Sequence, residues 1–168
     1  MANTGRTVSK LVNLVIGDSG NTLRDIPINS ISVVGVVYEE QDLTAFQDAV
    51  RGALPNMPDA PIEWTGPFDT TAAQAASGSG TVPVLSGSHT VLNGLNGGFT
   101  PRSIDVQFGI RQTWETGEPQ FGITATDTSG YLITSYTVNP DDMTYSARAV
   151  LYPGSSLPAW GTAAEAAS

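Results

Sequence analysis

The sequence predicts a mainly β protein: two packed antiparallel sheets, sandwich or barrel-like, with one short flanking helix. Three observations carry that prediction. Eighteen glycines and eleven prolines cut the chain into short runs, and most of those runs alternate apolar and polar residues with period two and favour β-branched or aromatic side chains. Short turn sequences, DTSG at 127–130 and NPDD at 139–142, join the C-terminal runs directly. Such turns imply antiparallel meanders rather than crossover helices. Residues 1–160 read as one β domain, and 161–168, GTAAEAAS, as a flexible tail.

The first strand falls at 11–16, and GDSGN supplies turn residues before a short strand from Leu23 to Ile26. Residues 30–43, SISVVGVVYEEQDL, form a long β-rich run, apolar on both faces at first and acidic after Tyr38. This pattern predicts one buried and one wet end. Two readings stand for 44–54. Phe46, Ala49, Val50, Ala53 and Leu54 have helical spacing, with Thr44 and Gln47 placed as a capping box and Pro55 as a stop. The same stretch also reads as a long loop whose apolar residues touch another subunit.

APIEWTG at 60–66 reads as a strand, and PFDTTAAQAASGSG after it as an exposed loop. SHTVLNGL at 88–95 predicts a two-turn helix with Ser88 as cap; Val91, Leu92 and Leu95 share a face, and Asn96, Gly97 and Gly98 end it. Ile104, Val106, Phe108 and Ile110 alternate with Asp105, Gln107, Gly109 and Arg111, a strand with one polar face. Strands at 120–127, 130–138 and 143–152 complete the set.

Composition excludes several functions. Sixteen acidic against seven scattered basic residues give a net charge of −9, so no basic patch exists to neutralise phosphates and release counterions. Without cysteine there is neither a disulfide framework nor thiolate chemistry, which suits assembly in a reducing cytoplasm. No apolar run approaches a membrane span, and the N-terminal run, broken by Asn13, does not read as a signal peptide. The lone histidine, His89, stands in a Ser-rich helix entrance without a nucleophile elbow, and one histidine cannot build most zinc sites. Adjacent carboxylates at Glu39 and Glu40, or Asp141 and Asp142, point to opposite faces of a strand. LNGLNGGFTPR lacks both the dinucleotide and the Walker pattern. Trp64, Trp114 and Trp160 could stack on sugars, but packing is the commoner use. The expectation is a structural protein with no catalytic residue, cofactor or metal.

Several segments together resemble the major tail tube proteins of long-tailed, non-contractile bacteriophages. They are DSGNTLRDI at Asp18 to Ile26, YEEQDLTAF, DAPIEWTGPFD at Asp59 to Asp69, SHTVL at the helix start, and PAWGT near the end. The resemblance spans most of the chain. It implies hexameric rings stacked into a tube, the inner sheets closing into one shared β-barrel through which DNA is ejected into the host. A long loop, 43–59, would reach the adjacent ring through Phe46, Val50 and Leu54, and Glu39, Asp42, Glu63 and Asp105 would line the channel. The implied partners are further copies of this chain, a tape-measure protein and tail terminator or baseplate proteins. DNA would pass without specific binding, and no membrane is involved. The implied location is the virion tail, after synthesis in the host cytoplasm. Some such proteins add an immunoglobulin-like domain, which this length would not accommodate, so the tube would be smooth outside. A capsid decoration protein and a carbohydrate-binding module are the alternatives.

Overall fold

A computed structural model describes residues 12–45, 47, 49–76, 83–109 and 118–162. Its elements are β1 (Val12–Gly17), β2 (Leu23–Ile26), β3 (Ser30–Ile31), β4 (Val37–Asp42), β5 (Ala53–Asp59), β6 (Ile62–Pro67), β7 (Val84–Leu85), α1 (Ser88–Leu95), β8 (Ile104–Phe108), β9 (Pro119–Ile123), β10 (Tyr131–Asn139), β11 (Thr144–Leu151) and β12 (Ala159–Thr162). The mainly β architecture and single short helix expected from the sequence are present among these residues. Phe46, Ile110, Arg111 and Trp114 lie outside the described residues.

A six-stranded sheet has the order β12-β9-β8-β1-β2-β7, and a four-stranded sheet the order β10-β11-β6-β3. Alternation along each strand sends one set of side chains into the space between the sheets. Leu14, Ile16, Ile26, Ile104 and Val106 from the first meet Ile62, Trp64, Tyr131, Ile133, Tyr145, Ala147 and Ala149 from the second, and the helix adds Val91, Leu92 and Leu95. Among the described residues neither sheet closes on itself.

The Asp18 turn shows how local chemistry sets this arrangement. Its carboxylate accepts hydrogen bonds from the amides of Gly20 and Thr22 and from Arg24 Nε at 2.8 Å, closing the β1–β2 hairpin. Asn21 supplies the left-handed residue at φ 62°. Arg102 then donates to the Asp18 carbonyl, attaching the approach to β8.

The helix spans the expected residues, but its cap differs. Gly87 occupies the N-cap, because a Cβ there would lie 2.6 Å from the Asp69 carbonyl and the Thr71 amide. Ser88 instead sits inside the first turn, buried, and donates to the Pro67 carbonyl. Asn96 caps the C-terminus, followed by Gly97 at φ 76°.

Two expectations are corrected. Residues 30–43 do not form one strand with a buried first half: β3 ends at Ile31, Gly35 adopts φ 149° before β4, and Val33, two residues before it, is 90% exposed. The helical reading of 44–54 also fails. β4 pairs antiparallel with β5 in a separate two-stranded sheet, with a bulge between the Tyr38 and Glu40 pairings. The described residues of that stripe, Ala49, Val50, Ala53 and Leu54, are all exposed, so the packing a short helix depends on is missing from them, whereas 53–59 pair with β4. Pro55 and Pro58 stand within β5 opposite Glu40 and Tyr38. At the C-terminus, β12 takes in Gly161 and Thr162 by pairing with β9. No helix among the described residues is long and apolar enough to cross a membrane.

Candidate assembly surfaces

Three surfaces concentrate the features a folded β-sandwich does not itself require. The first is the arm formed by β4, β5 and their connection. Every described residue from Val37 to Asp59 is exposed, although the arm includes Val37, Tyr38, Leu43, Val50, Leu54 and Met57. Its tip is held by Thr44, whose hydroxyl accepts from the Gly52 amide at 2.8 Å, and by Leu43, which donates to the Gly52 carbonyl. Asp42 accepts the Thr44 amide and pairs with Arg51 at 3.4 Å. A two-stranded ribbon with no supporting layer is marginal alone. Val50 and Leu54 both stand on it, 80% and 55% exposed.

The second surface is the open face of the four-stranded sheet. Its rows are Ser30, Thr65, Ser146 and Thr137, then Glu63, Arg148 and Ser135, then Pro67, Thr144 and Asn139. Ser30 and Thr65 share a hydroxyl hydrogen bond of 2.6 Å, and the Glu63 amide donates to the Ser32 hydroxyl. Arg148 donates to the Glu63 carboxylate directly across the strands. This face is therefore hydroxyl-rich and locally neutral. The sheet's two edges, β10 and β3, carry no strand partner among the described residues.

The third surface is the outer face of the six-stranded sheet. Asp25 and Asp105 flank Val15 in register on either side of β1. Asn13 donates to Gln107 at 3.4 Å, and Gln107 to Gln120 at 3.2 Å, so three amides run across the strands beside the two acids. Burial pushes both carboxyls up to about 6, partly offset by hydrogen bonds from Asn13 to Asp25 and from Gln120 to Asp105. Asp105 lies over Gly122, where a Cβ would collide with its carboxylate. Sequence alternation marks Asp105 and Gln107 as a polar face, but Gln107 is buried and Asp105 partly so, beside Asn13 of β1, 94 residues away from Gln107.

The four acidic candidates thus fall on three different sheets. Glu63 is on the open face of the four-stranded sheet, Asp105 is half-buried in the six-stranded one, and Glu39 and Asp42 occupy opposite faces of β4. His89 has a packing role: its Nδ1 shares a 2.9 Å hydrogen bond with the Tyr136 hydroxyl, and its ring lies 4.9 Å from Phe68. Trp64 is buried in the core, whereas Trp160 is 59% exposed and stacks on Phe108 and Phe121 at 5.5 and 5.1 Å. No exposed tryptophan pair suited to sugars is present among the described residues. Nor is there a cluster of three metal-ligating side chains.

No protein-family model and no curated protein sequence matches the chain. Its fold is shared with two cryo-EM chains from an extracellular contractile injection system in the extended state. One belongs to the PVC sheath/tube terminator, with a TM-score of 0.54 and 11% identity over 93% of this chain and 96% of the other. The second belongs to the PVC sheath-tube complex, with a TM-score of 0.54 and 10% identity over 95% and 93% of the two chains. The chain therefore has a tail-tube-like fold.

Proposed function

We propose that this protein is a virion structural subunit, the major tail tube protein of a long-tailed, non-contractile bacteriophage. In this reading it assembles as hexameric rings stacked into the conduit for DNA ejection. The observation that carries the reading is the four-stranded sheet, with two edges unpartnered among the described residues and a hydroxyl-rich outer face, beside an arm whose described residues are all exposed. Joining β10 of one copy to the β3 side of the sheet of the next pairs part of both free edges, and the head-to-tail contact closes into a ring. The shared fold of chains from a sheath-tube complex is consistent with such assembly.

The open face of that sheet then forms the channel wall. Glu63 faces DNA with Arg148 as its counter-charge, so no uncompensated cation holds the phosphate backbone. Asp105, on the other sheet, drops out of the wall, and at most one of Glu39 and Asp42 looks inward. The arm supplies the contact between rings, with tape-measure and terminator or baseplate proteins as partners at the tube's ends.

Negative-stain microscopy of the purified protein tests the reading. Six-fold rings or tubes are expected. A stable trimer without tubes supports capsid decoration instead, and a monomer at all concentrations overturns the tube reading.

A further inference from the structure

The edge that β10 presents is only half open. Tyr131 exchanges both backbone hydrogen bonds with Arg102, at 2.8 and 2.9 Å, and the Ile133 carbonyl accepts from the Gly97 amide at 2.9 Å. The stretch from Gly97 to Arg102, which leads from the helix to β8, thus caps the start of β10 with the chain's own backbone, one way of protecting a sheet edge. Beyond the cap the strand changes register, between Ile133 and Ser135. Ser135 to Asn139 are left as the part of β10 that no described segment covers.

On the opposite edge, β3 is two residues long, and contact with β6 ends where the Ser32 amide donates to the Glu63 carbonyl at 2.7 Å. The next two amides, of Val33 and Val34, have no acceptor among the described residues. Val33 is 90% exposed, and Phe99, in the cap on the β10 edge, is 84% exposed. These are the two most exposed large apolar side chains among the described residues. They stand at the same end of the sheet: Val33 follows Ser32 toward the start of β6, Phe99 lies in the cap over the start of β10, and Ala149 pairs with both Ile62 and Ile133 there. The width of four strands, about 14 Å between the outer two, separates them in one chain.

Charge selects the partner. Neither SVVGVV at 32–37 nor GGFTP at 97–101 carries a charged residue, in a chain of net charge −9 whose copies repel one another elsewhere. Depletion of charge at the centre of a contact is what distinguishes an interface from ordinary surface. Resting on the tube reading, we propose that Val33 of one copy packs on Phe99 of the next copy in the same ring, beside a strand joint confined to Ser135–Asn139. The cap stops the incoming edge short of Ile133, which limits how far it slides toward the arm end, and the two apolar side chains close over that boundary. The contact joins unlike patches head to tail, so a closed ring leaves neither exposed.

The cysteine-free chain makes a direct test available. Val33→Cys and Phe99→Cys proteins are prepared separately, mixed, assembled and oxidised, and the products are separated on a non-reducing gel. A disulfide-linked mixed dimer that requires both variants is expected, and a chain carrying both substitutions should give a covalent ladder that stops at the hexamer. Val33→Asp and Phe99→Asp should each lose ring formation while circular dichroism shows them folded. Self-linking by either single variant, no mixed dimer in assembled tubes, or unchanged rings in the folded Asp variants overturns the contact and leaves the tube reading intact. Failure of the unsubstituted chain to form rings or tubes overturns both.

Discussion

The Tyr145 hydroxyl on β11 donates a 2.8 Å hydrogen bond to the Pro27 carbonyl that follows β2, tying the two sheets together at one end. Gly66, beside Tyr145 on β6, makes this possible: a Cβ there would lie 2.5 Å from the Pro27 oxygen and 2.7 Å from the Tyr145 ring. Gly66→Ala should therefore destabilise the fold by roughly 1–3 kcal/mol through overpacking. Tyr145→Phe, which leaves the Pro27 carbonyl without this donor, should cost about 1–3 kcal/mol. Urea unfolding of the two variants checks both values.

The half-buried acids predict an unusual pH response. The Asp25 and Asp105 carboxyls titrate near 6 in the folded protein, against an ordinary 3.8, so folding favours their protonated forms. Stability should rise as pH falls through about 6 toward 4. It should fall again at lower pH, because hydrogen bonds from the Thr71 hydroxyl and amide hold the Asp69 carboxyl below its ordinary value. Thermal melts between pH 7 and 3 should show that maximum. Asp105→Asn should gain up to about 2 kcal/mol at pH 7 and flatten the rise.

On the open face, removing one partner of the Glu63–Arg148 pair changes charge more than stability. Glu63→Gln should alter folding by within about 0.5 kcal/mol, yet leave an uncompensated arginine on each copy. Tubes of this variant should co-sediment with short duplex DNA at low salt and release it at high salt. Unsubstituted tubes should not bind, and equal binding by the two would place this pair outside the channel.

His89→Ala removes the hydrogen bond to Tyr136 and the contact with Phe68. A loss of about 1 kcal/mol is expected, with assembly and DNA passage unchanged. Denaturation midpoints and electron microscopy separate the two effects.

Local signals explain which elements were legible. Residues 88–95 carry their own apolar face and their own breakers, so the helix could be read without its surroundings. β10 and β11 alternate strongly and share a short turn. By contrast, 44–54 satisfies a helical pattern, and only the exposure of its described apolar residues, together with the pairing to β4, decides for a hairpin. The amide row from Asn13 through Gln107 to Gln120 was illegible because it joins β1 to β8, 94 residues further along the chain. Among the proposed contact residues, Val50 and Leu54 are exposed as a docking arm requires, while the dispersal of the four acids over three sheets follows from pairings no linear pattern encodes.

The two prolines of β5 bear on how the exposed arm meets other strands. A proline in a paired strand is tolerated where its missing N–H points away from the partner, and the bulge brings Pro55 and Pro58 into the same sense relative to β4. The arm's outer margin along β5 thus lacks two donors a stray strand would need. Pairing of a stray strand along that margin is thereby disfavoured, a device by which an exposed apolar ribbon is kept from templating amyloid-like growth on its β5 side.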